Sequence, residues 1–131
     1  MKKISLLTKV IFHAINLIFI ILYVYPGSIV GWLIYDDFQK QPQITSDFAF
    51  FSTNHIYAFL ILSFLGLVSY NMKNLKNLFI YLFFISIFLE LCHSIIPQRN
   101  FEYEDLFGNV LGVFIIFLIS IVINLFKKKN D

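Results

Sequence analysis

This sequence predicts an all-α, polytopic membrane protein with four transmembrane helices and both termini in the cytoplasm, on three observations. Of its 131 residues, 59% are hydrophobic and only 14% charged, too few charges for a soluble domain of this size to cover its surface. The apolar residues fall into four stretches, each close to the ~20 residues that cross a hydrocarbon core of ~30 Å. Finally, Lys2, Lys3, Lys9, Lys73, Lys76, Lys127, Lys128 and Lys129, eight of the ten Lys and Arg residues, lie at the two ends and the middle connection. Basic residues are retained on the cytoplasmic side, so the connections at 26–46 and 97–105 face outward. One domain fills the chain, with no room for a second.

The first span is expected at residues 4–25. Its basic start and apolar run could belong to a signal peptide, but no small-x-small cleavage site follows and Pro26-Gly27 reads as a helix stop. An uncleaved helix fits, with Lys9 snorkelling to the headgroups. His13 and Asn16 near its inner end are expected to make hydrogen bonds to a neighbouring helix. Between residues 26 and 46, the apolar stretch around Gly31 and Trp32 is too short to cross, which predicts an interfacial or re-entrant turn with Trp32 at headgroup level.

Thr45, Ser46 or Asp47 can cap a second helix at residues 47–70, with Asn54 and His55 in its first third. A basic turn at 71–77 joins it to a third helix at 78–96, which Pro97 ends because its ring cannot continue the helix and disfavours helical geometry at the residue before it. The loop 97–105 leads to a fourth helix at 106–126, closed by three lysines.

Several function classes drop out. A net charge of +2, placed at membrane boundaries, does not suit nucleic-acid binding. Cys92 is the only cysteine, so neither an intrachain disulfide nor a cysteine-based metal centre can form; packing is its simplest role. No internal repeat is present, and alternating-access transport by four spans would need the chain to oligomerise. A homo-oligomer is compatible with the sequence.

The chemistry gathers in one stretch. Ionisable residues at membrane depth are functional candidates by default, and residues 90–112 hold Glu90, His93, Pro97, Arg99, Asp105, Asn109 and Gly112. At 3.6 residues per turn, Glu90, His93 and Pro97 project within about 60° of one another. Asp105, Asn109 and Gly112 recur at i, i+4 and i+7 on the next helix, with Gly112 allowing close approach of another backbone. Glu90 lies roughly 10 Å below Pro97, so its carboxylate must be protonated or paired, with Arg99 the first partner and His93 the second. His55 falls at the same level. Glu102 and Glu104 are expected only to solvate the outer loop.

Glu90, His93, His55 and Asp105 are therefore the candidates for acid/base chemistry, and Arg99, whose fork suits phosphate oxygens, and Asn109 are candidates for binding. Pro97 and Gly112 are structural. No cofactor is expected. Glu90-x-x-His93 is half of a carboxylate-bridged metal motif, and a divalent ion there would need His55 or Asp105 to complete its shell.

The spacing Glu90-x-x-His93-x-x-x-Pro97-x-Arg99, followed after five residues by Asp105-x-x-x-Asn109-x-x-Gly112, resembles that of the VanZ-like membrane proteins of bacteria, which also place a histidine where His55 opens the second helix. That family usually carries Gln at the position of His93, an Asp-Lys pair at Phe51-Ser52 and Gly at Ile116. The resemblance covers 23 residues in ordered spacing. It implies a cell-envelope role in the bacterial cytoplasmic membrane, within a family named for glycopeptide resistance, acting on phosphate-bearing lipid head groups or lipid-linked wall intermediates. The leading expectation is an outward-opening pocket that binds such a head group and transforms it by phosphoryl or head-group transfer. Its rivals are a non-catalytic protein that shields a lipid or glycopeptide, and an assembly factor whose polar cluster only joins helices.

Overall fold

The computed structural model describes residues 2–70 and 74–130. Lys73 of the expected basic turn lies outside them. Five helices make up the described chain: α1 (Lys2–Val24), α2 (Ile29–Tyr35), α3 (Thr53–Ser69), α4 (Leu75–Cys92) and α5 (Tyr103–Asn130). Among the described residues the only extended pairing is a lone antiparallel bridge between Phe48 and Phe51. Three helices, α1 from Leu6, α4 and α5, are long and apolar enough to cross a membrane. The shorter apolar helix α3 has 17 residues, about 26 Å at 1.5 Å per residue.

The expected interfacial turn contains α2, a helix of 7 residues whose start is capped where Ser28 Oγ accepts the Gly31 N–H at 2.9 Å. It ends at Asp36, in the left-handed region at φ 55°. Trp32 is half exposed and stacks on Phe38.

Three expected boundaries are corrected. The second helix starts at Thr53 rather than 47, because residues 48–51 fold into a tight reversal in which Phe48 and Phe51 exchange backbone hydrogen bonds and Ala49 takes φ 52°. Asp47 still caps it from beyond that reversal, its Oδ1 accepting the Thr53 N–H at 2.9 Å. The third helix runs from 75 to 92, and its end is set before Pro97. From His93 to Ile95 the backbone N–H groups bond three residues back, to Glu90, Leu91 and Cys92, a tightening typical of helix ends. Pro97 therefore does not share the Glu90 helix face. It occupies the second position of a turn closed by Arg99 N–H to Ile96 O at 3.2 Å, with Gln98 at φ 62°, which fits a type II turn. The fourth helix begins at Tyr103 and continues through Lys127, Lys128 and Lys129, where cations favour the negative end of the helix dipole.

The most extensive helix contact is between α3 and α5. A Cβ at Gly108 would lie 2.6 Å from Ser52 O, and one at Gly112 2.6 Å from Ile56 O. The G-x-x-x-G spacing thus lets the two backbones approach as no other residue pair would. Phe12, Phe59, Leu62, Leu82, Val113 and Ile116 fill the centre. Large apolar side chains such as Leu6, Leu33, Phe84 and Leu125 cover the outside.

Candidate functional site

The polar residues meet at the end of the bundle where α1 finishes and α3 and α5 begin. His55, in the first turn of α3, is held between two residues one turn apart on α5, the spacing that places both on one face. Its Nε2 lies 3.3 Å from Asp105 Oδ2 and its Nδ1 lies 3.0 Å from Asn109 Oδ1. The orientation of the Asn109 amide is set by Nδ2, which donates to Ser86 O of α4 at 3.2 Å. Tyr23 of α1 donates its hydroxyl hydrogen to Asn109 Oδ1 at 2.9 Å and also lies 3.2 Å from His55 Nδ1. Four helices are joined through one buried asparagine.

Glu90 and His93 form the second half of the cluster. Glu90 is completely buried. Its Oε1 accepts the Glu102 backbone N–H at 3.2 Å and lies 3.2 Å from His93 Nδ1. His93 Nε2 lies 3.0 Å from Tyr23 O, and because a carbonyl only accepts, this nitrogen carries the hydrogen. The imidazole also stacks on the Tyr23 ring at 5.7 Å. Both nitrogens of His93 thus have partners within the protein. The ligating atoms that do converge belong to His55, Glu90 and Asp105, all within 4.8 Å of one another.

Arg99 behaves differently from expectation. Its Nη2 donates to Leu22 O at 3.1 Å and its Nε to Tyr25 O at 3.4 Å, so the guanidinium caps the open carbonyls of α1. Among the described residues no ion pair joins it to Glu90; the partner of Glu90 is His93. The type II turn at Pro97-Gln98 folds the loop back far enough to make this contact. Burial pulls the Arg99 guanidinium below its usual value, opposed by Tyr23, Glu90 and Asp105, and a guanidinium stays charged in water at neutral pH.

Two cavities open beside the cluster. A polar one of about 370 Å³ is walled by Gln39, Asp47, Ser52, Gln98, Glu102 and Asp105 among others. An apolar one of about 330 Å³ runs between α1, α2 and α3, along Leu22, Ile29, Val30, Ile34, Ile44 and Ala58. Gln41, Asn54, His55, His93 and Arg99 line both. Asn54 pins the covering loop, donating to Pro42 O at 2.7 Å and accepting from Ile44 N–H at 3.0 Å.

The structure therefore brings Glu90, His93, His55, Asp105, Asn109 and Arg99 to one place, with Gly112 seating α5 against α3 below them. Pro97 acts through its turn. Sequence reasoning missed Tyr23, a single tyrosine near the end of a span that looks like an ordinary membrane-interface aromatic. It also missed Gly108, although Gly108-x-x-x-Gly112 was there to be read. Glu102 contributes its backbone N–H as well as a side chain at the cavity wall, where burial and the acids Asp105, Glu104 and Glu90 push its carboxyl above the ordinary range. No family model matches this chain, and neither a curated protein nor a solved structure matches it.

Proposed function

We propose that this chain is a bacterial envelope protein of VanZ-like type that crosses the cytoplasmic membrane four times, with both ends inside, and binds an amphiphile carrying a phosphate head group at the outer leaflet. The substrate class is a phospholipid or a lipid-linked wall intermediate. One observation carries the reading: the polar and apolar cavities share a wall containing Arg99. An amphiphile needs that combination, a site for a charged head beside a groove for a chain. Arg99 Nη1 makes no hydrogen bond to a described residue while Nη2 and Nε are held on α1, which leaves part of the fork for phosphate oxygens. Asn54 and Gln98 add neutral hydrogen-bonding groups.

In this arrangement α3 is the fourth crossing, shortened because residues 47–52 form part of the outer cover. The Lys and Arg distribution supports the orientation. In a Cys92→Ser background, a cysteine placed at Asp37 labels with a membrane-impermeant maleimide added outside whole cells; labelling only after lysis overturns the orientation.

The binding test is lipid mass spectrometry on protein extracted in native membrane patches. Wild type retains a phosphate lipid and Arg99→Ala loses it. Equal retention by both defeats the reading. A second reading, in which the head group is also transformed, is favoured by the paired His55–Asp105 and Glu90–His93 contacts, each of which can pass a proton between a ring nitrogen and a carboxylate. Product appearing from defined lipids with wild type, and not with Glu90→Gln, separates turnover from shielding.

A further inference from the structure

We infer that His55, Glu90 and Asp105 form a divalent-cation site for a transition ion such as Mn²⁺ or Zn²⁺, built from one residue each of α3, α4 and α5. The hydrogen-bond pattern around His55 points there. Asn109 Oδ1 can only accept, and its position is fixed by the amide nitrogen on Ser86 O. The consistent arrangement has His55 Nδ1–H donating to it, which turns the lone pair of Nε2 toward Asp105. A lone pair and a carboxylate oxygen then face each other at 3.3 Å, a contact that either a proton or a metal ion between them makes favourable. Metal-bound imidazoles commonly have this arrangement, with the second ring N–H on a carbonyl or carboxylate.

Glu90 decides in favour of a metal ion over a proton. Its side chain is fully buried, Oε1 is taken by His93 and the Glu102 N–H, and Oε2 has no partner among the described residues. A buried carboxylate oxygen left without a partner is costly, and a third ligand bond satisfies it. Ions with ligand bonds of ~2.1 Å hold neighbouring donors about 3 to 3.5 Å apart and opposite donors about 4.2 Å apart. His55 and Asp105 already stand at such a separation, and the 4.8 Å bound on the set exceeds the ~4.2 Å spacing of opposite donors on an octahedral ion by about 0.6 Å, which a side-chain adjustment of Glu90 closes. Two carboxylates and a neutral imidazole cancel a double positive charge. With one imidazole and no thiolate, the donor set suits Mn²⁺ or Zn²⁺ better than Cu⁺, and better than Mg²⁺ or Ca²⁺, which favour oxygen alone.

Three protein ligands leave positions open on the polar cavity, where a phosphate oxygen can complete the shell while Arg99 holds its neighbour. That use of the site rests on the head-group reading above; the site itself does not. His93 is a positioning residue that fixes Glu90.

The test uses full-length protein in detergent, stripped with EDTA and dialysed against Mn²⁺ or Zn²⁺ without added lipid. One ion binds per chain, and Mn²⁺ shows nitrogen coupling by pulsed electron paramagnetic resonance that His55→Gln abolishes. Affinity falls at least about tenfold in Glu90→Gln and in Asp105→Asn, while Glu104→Gln binds as wild type. The inference is overturned if wild type takes up no stoichiometric ion of either kind, or if Glu90→Gln binds equally well. Lipid retention measured on the stripped protein separates the two ideas: retention that depends on Arg99 with no metal uptake sinks only the metal site, and metal uptake with retention indifferent to Arg99 sinks only the head-group reading.

Discussion

Both ends of the bundle carry a histidine, an asparagine and tyrosines, yet they are built for different tasks. At the end where α1 begins, His13 Nε2 meets the Tyr70 hydroxyl at 2.9 Å, and Asn16 donates to the Tyr81 hydroxyl. These neutral contacts join α1 to α3 and α4, as expected for polar residues between spans, and a cavity of about 380 Å³ lies beside them. At the other end the same residue types, His55, Asn109 and Tyr23, are joined by Glu90, Asp105 and Arg99. Helix association needs only the first set. The added charges sit where burial makes them expensive, and they are the groups on which the proposed head-group site depends.

Glycine packing should separate the ends most sharply. Gly112→Ala forces a Cβ against the Ile56 backbone oxygen, and because backbone cannot turn aside, α5 must shift and carry Asp105 and Asn109 away from His55. A loss of about 1 to 3 kcal/mol, as for other overpacked cores, is expected together with loss of the retained lipid. Gly66→Ala, toward the first end, meets only side-chain atoms of Leu78 and Phe12 at 3.1 Å and should cost less and keep the lipid. Thermal unfolding in detergent and lipid mass spectrometry on both variants check this, and equal losses would remove the distinction.

The asparagines give the next largest contrast. Asn109→Ala leaves the Tyr23 hydroxyl, His55 Nδ1 and Ser86 O to find other partners, and about 1 to 3 kcal/mol should be lost, the usual cost of orphaned buried groups. Asn16 has a buried Oδ1 with no partner among the described residues, so Asn16→Leu trades one hydrogen bond for apolar packing and should be near neutral. Head-group retention should fall with the first and stay with the second. A strongly destabilised Asn16→Leu would mean that a group beyond the described residues satisfies Oδ1.

What could be read in advance follows from which interactions are local. The spacing from Glu90 to Gly112 places its residues on two consecutive helices joined by a short loop, so their meeting was legible. His55 was legible by depth alone. The contacts of Tyr23 and Arg99 were not, since each depends on where α1 ends relative to a segment 70 or more residues away, and no helical period records that distance. The start of α3 was misplaced for a similar reason. An apolar run through Phe48, Phe50 and Phe51 suits a helix, and only the left-handed Ala49 and the cap from Asp47 show the chain reversing there.

Removing the two tyrosine hydroxyls tests the contrast more finely. Tyr23→Phe keeps the ring stacked on His93 and deletes the hydroxyl's bond to Asn109 together with its contact to His55 Nδ1, so about 0.5 to 1.5 kcal/mol is expected, with weaker lipid retention. Tyr70→Phe deletes the contact with His13, an exposed one, and should cost less without changing retention. The comparison breaks if both variants retain lipid equally and melt together.

The smallest effect concerns Glu102, and its sign is informative. Burial and the neighbouring acids raise its carboxyl above the ordinary value, so ionising it is less favourable in the folded protein than in the unfolded chain. The folded state is then relatively favoured below the ordinary carboxylate value and loses that advantage as pH rises through the raised one. Glu102→Gln keeps the backbone N–H that serves Glu90 and removes the repulsion, so at neutral pH in EDTA the melting temperature should rise by about 1 °C. Near pH 4, where the wild-type side chain is also protonated, the difference should vanish. A variant that melts lower than wild type at neutral pH would mean that the Glu102 carboxylate is held by a favourable partner, and that the acids around the cavity do not strain against one another in the way a cation or a guanidinium would relieve.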